Sequence, residues 1–362
     1  MRLGTCIALE LVVAAGAIGG LYLGVGRATE LAGGYLAGGE AEAATIEAGA
    51  ARRVPERLPG AYLHVAPRPI ENVFGAPDGE LLAPLGAAPV VRVKANHGGT
   101  SLSLRLDFAN GSRAAFKPEQ IHPQSDPRRE IAAYRIDRLL GIGHVPPAKP
   151  AAIPLAELLA AVEPAYRTYI ATRIADEGIV RGGVLRGELS WWVPEIKLAA
   201  FGRHRIDERE GREMWTQWLQ ARATIPDAVR PMVEQIAAVI LFDVLIDNPD
   251  RWTGSNTEMS PDGKTLFFMD NTMSFSIFSM GHETNLGALR RIEVFPRRLV
   301  ARLRALTEEQ IIDALRVTDD HGLAPLLSPA EIRAIIARRD NLLKVIDELI
   351  AEYGEDTVLA LP

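Results

Sequence analysis

Residues 242–276 read FDVLIDNPDRWTGSNTEMSPDGKTLFFMDNTMSFS. An apolar helix runs into Asp247-Asn248-Pro249-Asp250-Arg251, and an apolar run, Leu266-Phe267-Phe268-Met269, ends in Asp270. Between them lie Asn256 and the turn Pro261-Asp262-Gly263-Lys264. The stretch reads as helix, polar loop, hairpin strand, and a carboxylate at the strand's end. Transfer of a phosphoryl group from a nucleotide uses such a layout. One carboxylate orients the attacking hydroxyl, and another carboxylate with an amide oxygen holds a divalent metal on the phosphates. The competing reading is a loop whose Asp and Asn residues only make turns, which is their commonest use.

Upstream, Ser101 to Phe108 alternates with period two, the signature of a half-buried strand. Asn110-Gly111 follows, a pair that tolerates positive φ at both hairpin positions. The return strand, Ser112 to Lys117, is closed by Pro118. A glycine loop before such a hairpin, here Gly98-Gly99-Thr100, covers phosphates, and the lysine at the exit places an ammonium on them. Pro127-Arg128-Arg129-Glu130 then opens a helix whose apolar residues recur at helical spacing to Leu140, stopped by Gly141 and Gly143. Glu130 in the first turn favours the helix dipole whatever its function. It is also placed to pair with Lys117, as a phosphate-binding lysine requires.

Further along, Ala152 to Ala161 reads as a short helix and Tyr166 to Ile174 as an alternating strand. The adjacent Trp191 and Trp192 read as core or lid, and Trp215 and Trp218, at i and i+3, as helix packing. Residues 231–246 form the helix that delivers Asp250, with Asp243 near the same end. Segments 290–306, 308–317 and 329–353 complete a second, all-helical lobe. The last of them opens on Ser328 with Glu331 three residues on, a capping box.

At 362 residues the chain can hold a two-lobed catalytic domain. A net charge of −6 with no long basic run excludes nucleic acid as a partner. Leu3 to Val25 is apolar apart from Thr5 and Glu10, which is about the length needed to span a bilayer. Arg2 before it favours a cytoplasmic N-terminus and an exported body. Residues 1–26 are therefore read as a signal anchor or signal peptide, 27–60 as an Ala/Gly/Glu/Pro-rich linker, and 61–362 as the folded domain. Uncleaved, the first segment would be the membrane contact. Cys6 is the one cysteine, so no disulfide forms within the chain. The seven histidines have no paired zinc spacing. Neither a Gly-x-Ser-x-Gly elbow nor a P-loop is present.

Taken in order, these pieces resemble the secretory-pathway kinases of the Fam20 and four-jointed type and their bacterial relatives. The resemblance runs from about Gly98 to Leu306. It includes Ala115-Phe116-Lys117-Pro118, the helix from Glu130 to Gly141 with Val145-Pro146-Pro147, Gly187 to Pro194, Phe242-Asp243, Asn248, Asp250-Arg251 and Asp270-Asn271. The chain departs from the family in lacking its disulfides, in Thr272 where the family has glycine, and in Trp252-Thr253 where it has histidines. The resemblance implies an α+β, two-lobed, atypical protein-kinase-like fold, with a small β-rich N-lobe and a mostly helical C-lobe. It implies ATP with Mg²⁺ or Mn²⁺. Lys117 contacts nucleotide phosphates beside the Gly98-Gly99 loop, and Glu130 holds Lys117 or the metal. Asp250 orients or deprotonates the acceptor hydroxyl, Asp270 binds metal, and Asn256, at a distance resembling the metal asparagine of general kinases, is assigned to the metal with it. The acceptor is a protein Ser/Thr or a glycan sugar, outside the cytoplasm. A pseudokinase and a nucleotidyl transferase on the same fold remain open readings.

Overall fold

The computed structural model describes residues 72–96, 100–253, 256–317 and 321–362. The apolar segment 3–25, the linker 27–60 and the pair Gly98-Gly99 lie outside the described residues. Among the described residues, no helix is long and apolar enough to cross a membrane.

Two separate apolar clusters define two lobes. The smaller is built on a sheet. Its strands are β1 (Val90–Ala95), β2 (Leu104–Phe108), β3 (Arg113–Pro118), β4 (Ala148–Pro154), β5 (Val180–Arg181) and β6 (Val184–Trp191). They pair in the order β1-β2-β3-β6-β4, with β5 on β6. The expected hairpin is β2–β3, turning at Gly111 with φ +83°. Alternation does the sorting within β3: Ala114, Phe116 and Pro118 are buried on the core face, which leaves Ala115 and Lys117 on the other. β1 was not anticipated from the sequence. It pairs antiparallel with β2 and buries Val90, Val93 and Ala95.

Two local readings are corrected. Tyr166 to Ile174 is not a strand: Pro164–Tyr166 is a 3₁₀ turn and Arg167–Glu177 an α-helix. Ile170 and Ile174 are its buried residues, four apart on one face, so helical periodicity overrode the apparent alternation. The stretch 152–161 begins as the end of β4 and becomes helical only at Leu155–Ala160.

The larger cluster is organised around the helix Arg230–Ile246, in which twelve residues are buried, including every residue from Val239 to Ile246. A helix apolar all round belongs in the middle of a core. Helix Pro329–Tyr353 packs on it, opened by the expected Ser328/Glu331 capping box. The larger lobe is mostly helical but not wholly so. It also carries a three-stranded sheet of Lys197–Leu198, Glu258–Met259 and Leu266–Phe267, and a hairpin of Ala200–Phe201 with His204–Arg205. Trp215 is fully buried on helix Arg209–Trp218, in the packing role expected of it. The architecture is the two-lobed α+β arrangement of kinase-like folds.

Candidate active site

Each functional side chain arrives from a different element. Lys117 projects from the polar face of β3. Glu130 sits in the first turn of Pro127–Leu139, a helix capped by Asp126, whose side chain accepts from the Arg128 amide, with Pro127 at its first position. Asp270 follows the strand Leu266–Phe267. Its φ of +56° is a left-handed conformation that an aspartate adopts more readily than most residues. The positive φ values of this segment fall on Asp270 and Phe275, not on Thr272, so the turn does not require glycine at Thr272.

The three meet. Lys117 Nζ donates to Asp270 Oδ1 at 2.6 Å and lies 3.7 Å from Glu130 Oε2. Glu130 in turn accepts from the Asn271 amide (Oε2, 2.7 Å) and the Asn271 side-chain amide (Oε1, 3.0 Å). Glu130 thereby clamps the segment that carries Asp270, in addition to balancing Lys117. Burial opposes the Lys117 charge, but the carboxylates of Asp270, Glu130 and Glu188 outweigh it and raise its affinity for its proton. Lys117 is therefore a fixed cation. It also holds the Asp270 carboxyl below the usual carboxylate range.

Asp250 is placed by the end of helix Arg230–Ile246. That helix closes on Asp247, left-handed at φ +57°, whose carboxylate accepts from the His282 amide at 2.6 Å and from the Ser276 hydroxyl. Asn248 Oδ1 accepts from the Asp250 amide at 3.1 Å, while its side-chain amide donates to Asp270 O at 3.1 Å. One asparagine thus links the two acidic segments. Beneath them Arg251, 1% exposed, pairs with Asp243, also 1% exposed. Arg251 also donates to Asn271 Oδ1 at 2.8 Å and to the Met269 carbonyl. Burial pushes Asp243 up to about 6 despite Arg251. Asp243 therefore acts on the loop through Arg251, whose fork holds both arms of the site together.

The Asp250 carboxylate is held at both oxygens. Thr253 Oγ1 donates to Oδ1 at 2.5 Å and Asn256 Nδ2 to Oδ2 at 2.6 Å. The structure thus ties Asn256 to Asp250 through its amide nitrogen, leaving its carbonyl oxygen as the atom able to meet a metal.

These groups line one cavity of about 580 Å³, within the usual range for a small-molecule site. Lys117, Glu130, Asp250, Asn256 and Asp270 all face it, so the structure brings together every described residue expected at the site. Trp191 and Trp192 are on its wall, and Trp191 also packs edge-on against Phe74, 5.5 Å between ring centres. Two further acids line it that sequence reasoning missed, Glu188 and Glu258. Glu188 stands on β6 directly opposite Lys117 on β3. The available signal was the alternation of Leu185, Gly187 and Leu189 on one face of β6 with Glu188 and Ser190 on the other.

The cavity fits a nucleotide with a divalent cation. Asp270 is 43% exposed toward it, and Glu188 Oε1 is a buried carboxylate oxygen without a hydrogen-bond partner. Such oxygen donors suit Mg²⁺ or Mn²⁺. Lys117 suits phosphate oxygens.

No family model matches the chain. Among curated proteins it is 22% identical over 315 residues to the human glycosaminoglycan xylosylkinase, covering 78% of this chain and 77% of that one. It is 22% identical over 322 residues to human extracellular serine/threonine protein kinase FAM20C, covering 77% of this chain and 55% of the relative. The mouse pseudokinase FAM20A is 25% identical over 72% of this chain and 56% of its own length. The chain is thus similar, over most of its length, to kinases and a pseudokinase of the Fam20 type. Solved structures agree on the fold. The Golgi casein kinase superposes with TM-score 0.63 at 17% identity, covering 80% of this chain and 79% of that one. The same kinase with Mn/ADP bound superposes with TM-score 0.61 at 16% identity, covering 78% of each chain. In this chain the cavity lined by Lys117, Asp250 and Asp270 lies in a kinase-like fold.

Proposed function

We propose that this chain is a metal-dependent phosphotransferase that moves the γ-phosphoryl group of ATP to a hydroxyl, on a protein Ser/Thr or a glycan sugar, outside the cytoplasm. One observation carries the reading: Lys117, Glu130 and Asp270 form a single bonded cluster across the cavity from an Asp250 held at both carboxylate oxygens. A turn-forming loop needs no partner as distant in the chain as Lys117 and Glu130 are from the Asp270-Asn271 pair.

Lys117 supplies a permanent positive charge for phosphate oxygens. Asp270, with the Asn256 carbonyl oxygen, supplies the metal's ligands. A divalent cation bound there neutralises charge on the phosphates. Asp250 accepts the proton of the acceptor hydroxyl as that oxygen bonds to phosphorus and the bond to the ADP oxygen breaks. Thr253 and Asn256 keep its carboxylate aimed, so the acceptor meets a pre-positioned base. Use of Mn²⁺ and ATP is supported by the Mn/ADP complex of the Golgi casein kinase. The two acceptor classes are those named for the relatives. An extracytoplasmic address is likewise supported by those relatives, and residues 3–25 would anchor the chain if retained.

The test is a labelling experiment on the purified full chain with Mn²⁺ or Mg²⁺, offering casein and a xyloside as acceptors. Label from γ-³²P-ATP should move to one of them. Transfer of α label instead would make the protein a nucleotidyl transferase. Nucleotide binding without transfer to either acceptor would overturn the reading in favour of a pseudokinase.

A further inference from the structure

One loop exposes what a loop usually hides. Ile277 is 62% exposed, Phe278 71% and Met280 64%, and no other described stretch exposes three large apolar side chains within four residues. The loop is held from beneath. Arg338, buried on helix Pro329–Tyr353, donates through Nη1 to the carbonyls of Ser276 (2.9 Å) and Phe278 (2.8 Å), on either side of Ile277, and through Nε to Leu245 O at 2.9 Å. Asp247 accepts from the Ser276 hydroxyl and from the His282 amide, and Asn341 donates to Ser279 O at 3.1 Å. At Gly281, with φ +78°, a Cβ would stand 3.3 Å from both Arg338 Cδ and Asp247 Oδ1, so glycine lets the chain close over this buried pair. Two buried charged side chains thus fix a backbone whose apolar side chains face water.

The loop belongs to the acceptor side of the cleft. It continues the segment that carries Asp270, in which Thr272 and Met273 line the cavity. The Phe275 amide donates to Ile246 O at 2.5 Å, and Asp247, which holds the loop, is three residues before Asp250. The apolar side chains and the proposed base are therefore tied to the same helix end.

Size and charge indicate the occupant. Three side chains at these exposures present on the order of 400 Å² of apolar surface, the scale of a functional patch on a monomer. A stable complex buries about 800 Å² per partner, so this surface suits a substrate that docks and leaves rather than a permanent second subunit. Glu130, Glu188, Asp250, Glu258 and Asp270 line the cavity, and among the described residues lining it Lys117 is the single basic one. Such a cleft repels an acidic acceptor segment and admits a neutral or basic one. A polypeptide carries large apolar side chains at fixed spacing from a hydroxyl, which a glycan does not.

We propose that Ile277, Phe278 and Met280 form a docking surface for a polypeptide acceptor, which lays a large apolar side chain on them while its Ser or Thr hydroxyl reaches Asp250. The inference rests on reading the cleft as a phosphotransfer site, and it deepens that reading by choosing polypeptide over glycan. Asp247 and Arg338 are positioning residues that hold the surface and touch no substrate.

The full chain is given γ-³²P-ATP and Mn²⁺ with a positional-scanning peptide library built around a fixed serine, and separately with a xyloside. The parent should label the library, favouring Phe, Leu or Met severalfold at a position flanking the serine and disfavouring Asp and Glu. The double variant Ile277→Ser, Phe278→Ser should lose the apolar preference. On the best single peptide its KM should rise tenfold or more with kcat and the ATP Kd kept, the pattern of lost acceptor binding. Val91→Ser, which removes an exposed apolar side chain of β1 outside the cavity, should behave like the parent. Melting temperatures establish that each variant is folded. An apolar preference that survives in the double variant overturns the proposal. So does peptide labelling without such a preference, or label on the xyloside alone, and each of these leaves the phosphotransfer reading standing. Parent and double variant are also compared by flotation with phosphatidylcholine vesicles and by analytical ultracentrifugation. Vesicle binding or a dimer that the double variant loses would assign the surface to lipid or to a second copy and overturn the proposal. No label on any acceptor removes the phosphotransfer reading and this proposal with it.

Discussion

Asn256 donates its side-chain amide to Asp250 Oδ2 at 2.6 Å, while Thr253 donates its hydroxyl to the other carboxylate oxygen at 2.5 Å. The proposed base is therefore oriented by two neighbours from its own loop. Asp250→Asn should lower kcat by about 10²–10⁴, the usual range for a lost general base, and leave the nucleotide Kd unchanged. Thr253→Val or Asn256→Ala should each cost about tenfold, about 1.4 kcal/mol, because one orienting bond is lost and the base is kept. If Asn256 also meets the metal, Asn256→Ala will raise the Mn²⁺ requirement as well, which Thr253→Val will not. Steady-state kinetics at varied Mn²⁺ separates the two.

Asp270→Ala should abolish metal-dependent turnover and release Lys117 from its 2.6 Å partner. Lys117→Met should weaken ATP binding and lower kcat/KM by about 10²–10³, the scale for a lost charge-stabilising donor. Full activity in Asp270→Ala would sink the assignment of the site.

Glu188 also makes a pH prediction. Burial and the neighbouring Glu130 push it up to about 8, against an ordinary value of 4.5. Between those pH values the folded chain holds a proton that the unfolded chain has released. Stability from this group is therefore fully present below about pH 4.5 and is lost as pH rises through about 8. In EDTA the parent's melting temperature should fall across that window, and Glu188→Gln should flatten the slope and be the more stable protein at its upper end. An unchanged slope in the variant would place the titration elsewhere.

Arg251 and Asp243 form an ion pair with both side chains 1% exposed. Arg251→Ala leaves a buried carboxylate without its cation and frees the Asn271 and Met269 contacts. It should cost about 3–5 kcal/mol in urea denaturation. Asp243→Leu with Arg251→Met, apolar at both positions, should recover much of that loss but not activity, since Arg251 also holds the loop that carries Asp250 to the segment that carries Asp270.

Gly187→Ala tests whether β3 and β6 must approach so closely. The added methyl meets backbone of Lys117 and Pro118, which cannot rotate away. A loss of about 1–3 kcal/mol is expected, as for other overpacked sites, together with reduced ATP affinity because Lys117 moves with its strand.

Much of the site is legible in one dimension because local pattern determines it. Alternation around Lys117, helical spacing after Glu130, the apolar helix before Asp250 and the apolar run before Asp270 each place one side chain at the end or on one face of its own element. Their order matched a known family, which turned four separate positions into one expected cleft. Local pattern misled at Tyr166 to Ile174, where alternation and a four-residue apolar repeat coexist and burial of Ile170 with Ile174 decided for helix.

What the chain alone determined, then, is which residues are proposed to carry the chemistry, Lys117, Glu130, Asp250 and Asp270, and the lobes that hold them. Only the tertiary structure decided what each one touches. Asn256 is bonded to Asp250, Asn248 ties the two acidic segments together, and Glu188 enters the site because β6 lies on β3. The physical reason is that strand pairing and buried hydrogen bonds depend on which distant segments meet. A periodicity says which face a residue takes, not which neighbour stands across from it.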